Sequence, residues 1–177
     1  DGAAADFANK LRISGTAADE ITATAGVEAT AGVLTGSVAF RGADGKVFAD
    51  GATGRLWIED EDLNPVDVEE GAAPTAAGEI AVDKGLAKKH DLAVGGKVTL
   101  LTLAGPQQVT IVGVTKFGNS DSIDGGSGTV SISKENAFDW LSSGQVEYQS
   151  LYVRGSGDQA ALVVAIEPSA PDGFKVQ

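Results

Sequence analysis

The chain has 177 residues, with 25 acids against 13 Lys and Arg for a net charge of −12, and no Cys. That length suits one ordinary domain or two small subdomains sharing a core. The absence of Cys excludes disulfides, thiolate metal sites and cysteine nucleophiles. The charge argues against nucleic acid and anionic lipid as partners, since both need a basic surface.

Met is also absent, so a start at Asp1 reads as a piece of a longer product. No run of about 18 apolar residues is present, so any membrane anchors of a parent protein are expected outside this segment.

In chain order, Leu11-Arg12-Ile13-Ser14 alternates like the end of a strand. Thr16 is placed to cap a helix over 17–25, with Asp19 and Glu20 in its first turn and Gly26 closing it. Residues 27–40 are extended, with a bend expected at Gly32 or Gly36. Asp44-Gly45 marks a hairpin turn into a strand starting at Val47-Phe48. Arg55-Leu56-Trp57-Ile58 reads as a separate strand running into Glu59-Asp60-Glu61-Asp62, followed by a loop through Pro74. Trp57 and Trp140 are both expected in the core.

Residues 78–82 form a buried-type strand, and Asp83 caps a short helix ending at His90. Strands over 97–103 and 107–115 make a hairpin, and 117–128 is a polar, Gly-rich loop. A strand over 129–133 leads into a helix capped by Ser133 and ending near Leu141. Residues 147–154 alternate as a strand, and Asp158 caps a helix ended by Pro168. Residues 174–177 are expected as a last short strand.

Both ends of the chain thus carry a strand–helix–strand unit. The fold expected is α+β with two subdomains: a base of paired βαβ repeats from residues 1–45 and 145–177, and an inserted, mainly β subdomain over 46–144 with short helices.

No constellation of residues supports catalysis. His90 is the lone histidine and lies beside Lys88 and Lys89 at a helix end, where a cation suits the dipole. Gly125-Gly126-Ser127-Gly128 lacks the strand and helix that flank a nucleophile elbow. Asn119, Asp121 and Asp124 miss the calcium-loop spacing, because Ile123 takes a ligand position and Val130 stands where a Glu is needed. The acids at 59–62, with Asp67, Glu69 and Glu70, can gather a weak divalent ion or simply form a solvated face. No catalytic, cofactor or metal residue is assigned, and the chain is not expected to be an enzyme.

The segment 78–141 resembles the extracytoplasmic domain of FtsX-like permeases, the MacB-type periplasmic core domain of ABC transporters. The resemblance rests on Gly78-Glu79-Ile80-Ala81-Val82-Asp83, Leu86-Ala87, Leu92-Ala93-Val94-Gly95-Gly96-Lys97-Val98, Val109-Thr110-Ile111-Val112-Gly113-Val114, Phe117-Gly118, Asp121-Ser122 and Ala137. Gly96 departs from the Asp common there. Thr24-Ala25-Gly26-Val27-Glu28-Ala29, Asp44-Gly45-Lys46 and Glu70-Gly71-Ala72-Ala73-Pro74 extend it over nearly the whole chain.

The resemblance implies a domain held between two transmembrane helices of a permease, on the outer face of the cell membrane. It also implies a cytoplasmic ATPase partner and a permease homodimer, with ATP-driven motion passed to an external substrate or protein. The work implied is export, lipid or lipoprotein transfer, or activation of a cell-wall hydrolase. A free-standing extracellular binding or adhesion module is the alternative. Two surfaces are candidates for partner contact: the long loop with Phe117, Asn119, Asp121 and Asp124, and the acidic run Glu59, Asp60, Glu61 and Asp62.

Overall fold

The structure is a computed structural model describing residues 12–122 and 127–177. Its elements in chain order are β1 (Ile13–Ser14), α1 (Gly15–Thr22), β2 (Val27–Val33), β3 (Thr35–Arg41), β4 (Val47–Leu56), β5 (Asp67–Gly71), β6 (Glu79–Asp83), α2 (Lys84–His90), β7 (Lys97–Thr102), β8 (Gly105–Lys116), β9 (Thr129–Ile132), α3 (Lys134–Ser142), β10 (Glu147–Tyr148), β11 (Ser150–Gly155) and α4 (Gln159–Ile166). The class is α+β. The chain divides into two compact units, Asp1–Val33 with Val146–Gln177, and Leu34–Gln145.

The first unit is held by two antiparallel ladders, each joining the two ends of the chain. β1 pairs with β10, and β2 pairs with β11 from Ser150 opposite Val33 to Arg154 opposite Ala29. The two chain ends pair as expected and β1–α1–β2 forms the first strand–helix–strand unit, but no strand follows α4, so the second repeat is incomplete. With two residues, β1 is too short to build a sheet with its own half. Residues 174–177 form no strand, because a segment this short needs a neighbouring edge to offset the ordering of its backbone. Ser14 rather than Thr16 caps α1: its Oγ accepts from the Ala17 N–H at 3.2 Å. Tyr148 lies flat over Gly32, where an added Cβ would sit 2.1 Å from the ring. That close approach explains a glycine inside a strand.

The second unit is a closed six-stranded barrel in the order β8–β6–β9–β4–β3–β7, with β7 pairing back onto β8. β5 is added outside the barrel on the second half of β8. Phe40, Ile80, Leu100, Ile111, Val130 and Ile132 are fully buried. Each stabilises the unit at about 25 cal/mol per Å² of apolar surface removed from water. α3 buries Ala137, Trp140 and Leu141, and a Cβ on Gly54 would come 2.8 Å from Leu141 Cδ2. Trp57 is only half-buried, unlike Trp140.

Two further expectations change. The stretch 27–40 is broken at Leu34, so 34–45 enter the barrel through β3 rather than the terminal unit. Residues 47–56 form one strand, not two, because β4 pairs continuously with β3 across a bulge. A turn forms at Asp44-Gly45, but not the type I′ turn that Asp-Gly suggests: Gly45 alone of the two has positive φ, at +80°, and Asp44 Oδ1 accepts from the Lys46 N–H.

Candidate functional site

The corner where β6 turns into α2 organises the surface around the 117–128 segment. β6 is buried on both faces, which its continuous Ile80-Ala81-Val82 run requires. It ends at Asp83, a carboxylate only 3 % exposed. Oδ1 accepts from the Leu86 N–H at 2.6 Å and so caps α2. Oδ2 accepts from the Thr129 N–H at 2.6 Å and the Ser122 hydroxyl at 2.8 Å. Asp83 therefore holds Ser122, midway along the segment, and Thr129, at the start of β9, and its desolvation is offset by three charge-assisted hydrogen bonds.

The rest of the loop is fastened in similar ways. Gly85 N–H donates to the Asp121 carbonyl at 3.0 Å. Gly128 packs on Leu86, and its carbonyl accepts from the Thr53 N–H at 2.9 Å. Phe117 and Ser120 exchange backbone hydrogen bonds of 3.0 and 2.8 Å, closing a tight turn.

α2 places Lys84 and Lys88 one turn apart. Lys88 Nζ reaches Asp121 Oδ2 at 2.7 Å, and Lys84 Nζ reaches Glu69 Oε1 at 2.7 Å. The Lys88 hydrogen bond holds the Asp121 carboxyl below its usual range, against some desolvation, with help from the Lys88 and Lys84 charges. The hydrogen bond to Glu69 raises Lys84, partly opposed by desolvation and reinforced by the charges of Glu69 and Asp121. The four groups act as one electrostatic cluster.

Of the candidate residues, Phe117 is 40 % exposed, and Asn119 and Asp121 are exposed beside it. Asp124 lies outside the described residues. Glu59 and Glu61 are exposed, while Asp60 organises a turn: its carbonyl accepts from Leu63 and Asn64, and its Oδ1 accepts from the Asp62 N–H. The acidic run is thus a self-bonded turn. It is Glu69, on β5, that joins the loop cluster through α2.

Sequence reasoning named Glu69 only within the acidic group and Lys88 only beside His90, and it did not foresee the pairs that Lys84 and Lys88 make with Glu69 and Asp121. The spacing of the lysines at i and i+4 on one helix face was the available signal. It also missed β5, which reads as a loop because all five residues are exposed.

His90 packs on Phe48 at 4.9 Å, and Phe48 stacks on Phe40 at 5.4 Å, so its ring extends an aromatic row. Among the described residues no group of three or more His, Asp or Glu is placed to hold a metal ion. No described helix is long and apolar enough to cross a membrane.

No family model matches the sequence, and no curated protein does. Solved structures match over nearly its full length. The extracellular domain of the ABC-type transporter YknZ from Gram-positive bacteria aligns with TM-score 0.69 at 17 % identity, covering 97 % of this chain and 92 % of that one. This chain shares the fold of that domain. The periplasmic region of MacB from Actinobacillus actinomycetemcomitans aligns with TM-score 0.65 at 13 % identity, covering 95 % and 79 %. A domain of a putative permease protein from Porphyromonas gingivalis aligns with TM-score 0.53 at 18 % identity, covering 91 % and 70 %.

Proposed function

We propose that this chain is the extracytoplasmic domain of an ABC transporter permease, a non-catalytic part that passes ATP-driven motion to an external substrate or protein. The observation carrying this is the β2–β11 ladder, which brings residues 27–33 and 150–155 together so that both chain ends belong to one unit. A polypeptide that enters and leaves through one unit suits a segment inserted between two membrane helices. The likeness to the YknZ and MacB domains supports the same reading.

In this proposal the terminal unit is the membrane-proximal, porter-like part, and residues 34–145 carry the contact surface. The parent permease works as a homodimer with a cytoplasmic ATPase subunit or domain, on the outer face of the cell membrane. The output is export, lipid or lipoprotein transfer, or activation of a cell-wall hydrolase. The surface of Phe117, Asn119 and Asp121, with Glu59, Asp60, Glu61 and Asp62, meets the external partner.

The absence of Cys makes a direct test simple. Asn119→Cys in the parent protein, in a background freed of any other Cys, should react with a membrane-impermeant maleimide in intact cells. Labelling only after the cells are permeabilised would place the domain inside and end the proposal. Spin labels at the same position in the purified transporter should show a distance change between the nucleotide-free and ATP-bound states. Identical distributions would remove the motion-transmitting role.

A further inference from the structure

Barrel closure leaves β5 as the open edge of the large sheet. Every barrel strand has a neighbour on each side, whereas β5 pairs with β8 alone among the described residues. It sits where β7 has left β8: β7 pairs with residues 105–110 of β8, and β5 with residues 113–116. All five residues of β5 are exposed. An unpaired edge presents a row of main-chain donors and acceptors, a template for one more strand.

We infer that the β5 edge receives an extended, basic segment of a partner protein as an added strand. Charge selects the occupant. Asp67, Glu69 and Glu70 line the edge, Lys84 pairs with Glu69 at 2.7 Å and Lys116 stands opposite Asp67 in the β5–β8 register, so the three acids still outnumber the cations beside them. A second copy of this chain would bring the same carboxylates against these, and like charges directly opposite each other destabilise a strand pair. An anionic lipid surface is repelled in the same way. A segment alternating Lys or Arg with apolar residues answers both features, its cations meeting the acids and its apolar side chains meeting Val68 and Phe117, 36 % and 40 % exposed. Gly71, at φ +77° and against the Val112 carbonyl, ends the edge, so the site is about four residues long.

The inference rests on the reading of the Phe117 corner as a contact surface. The test uses the 177-residue chain and a labelled nine-residue peptide of alternating Lys and Val, followed by fluorescence anisotropy. The basic peptide should bind at least tenfold more tightly than its Glu–Val counterpart. Peptides N-methylated at alternate residues give the decisive comparison, because only every second amide of a strand faces a given neighbour. One methylated series should lose at least tenfold in affinity, and the other should bind like the parent peptide. The double variant Asp67→Lys with Glu70→Lys, its fold checked by circular dichroism, should reverse the charge preference.

Absence of peptide binding, or binding indifferent to both methylated series, would overturn the inference; so would self-association lost in the double variant. Outside labelling of Asn119→Cys without strand binding would sink this inference alone. Strand binding with Asn119→Cys protected in intact cells would sink the proposed location and role instead.

Discussion

Replacing Asp83 by alanine should free Ser122 and Thr129 from the β6–α2 corner. The variant loses the cap on Leu86 N–H, a bond whose removal costs about 1 kcal/mol. It leaves the buried Thr129 N–H without its acceptor, a penalty of about 1–3 kcal/mol. Ser122 is only partly buried, and water can take over its hydrogen bond, so it adds little. Relief from burying a carboxylate offsets part of the loss, and the net is about 2 kcal/mol of stability.

For a unit the size of Leu34–Gln145 this corresponds to a fall in Tm of about 10 °C. Urea unfolding followed by Trp57 and Trp140 fluorescence would measure it, with amide exchange at Thr129 as a local readout. Asp83→Asn separates charge from shape. With its carbonyl oxygen kept for the Leu86 N–H, it turns an amide donor toward both the Thr129 N–H and the Ser122 hydroxyl, which share one oxygen in the wild type, and about 1 kcal/mol should be lost. A loss below about 1 kcal/mol for the alanine variant, or an asparagine variant as stable as the wild type, would refute the reasoning.

Gly32→Ala should destabilise the terminal unit by about 3 kcal/mol, since its Cβ would penetrate the Tyr148 ring; a melting curve unchanged from wild type would contradict the packing described. Asp121 titrates below an ordinary carboxyl, so its pairing with Lys88 contributes stability above the unfolded value of 3.8 and loses it as pH falls through the lower folded value. In Lys88→Ala the Asp121 carboxyl resonance should titrate at a higher pH, and an unmoved midpoint would deny the ion pair. Tyr148 is pushed above the usual 10.0 by burial first and by the Asp19 charge second. Its contribution is complete below pH 10.0 and lost as pH rises through the folded value. Spectrophotometric titration of Asp19→Asn should show a small downward move and leave the larger burial effect in place.

Several elements were legible from local signals. β6 and α2 were readable because Ile80-Ala81-Val82 needs burial on both faces and Asp83 carries an N-cap side chain in the right place. The β7–β8 hairpin, β9 and α3 were readable too, although Ser133, expected to cap α3, stands at its N-cap position without a side-chain hydrogen bond. The Phe117 loop stood out by its length and composition, but its fastening to Asp83, Gly85 and Lys88 did not, because those partners lie 30 or more positions earlier in the chain. β5 was invisible for the opposite reason. Its acidic residues have little intrinsic preference for a strand, and pairing with β8 is what orders them.

By itself the sequence determined where short apolar runs, caps and turns create local structure. Tertiary structure decided which strands meet. It set β2 against β11 and β1 against β10, moved residues 34–45 into the barrel, and closed β7 onto β8. The physical reason is range. A cap or a turn is settled within a few residues, whereas register and closure depend on backbone groups and side chains far apart in the chain, as Tyr148 finds room only over Gly32.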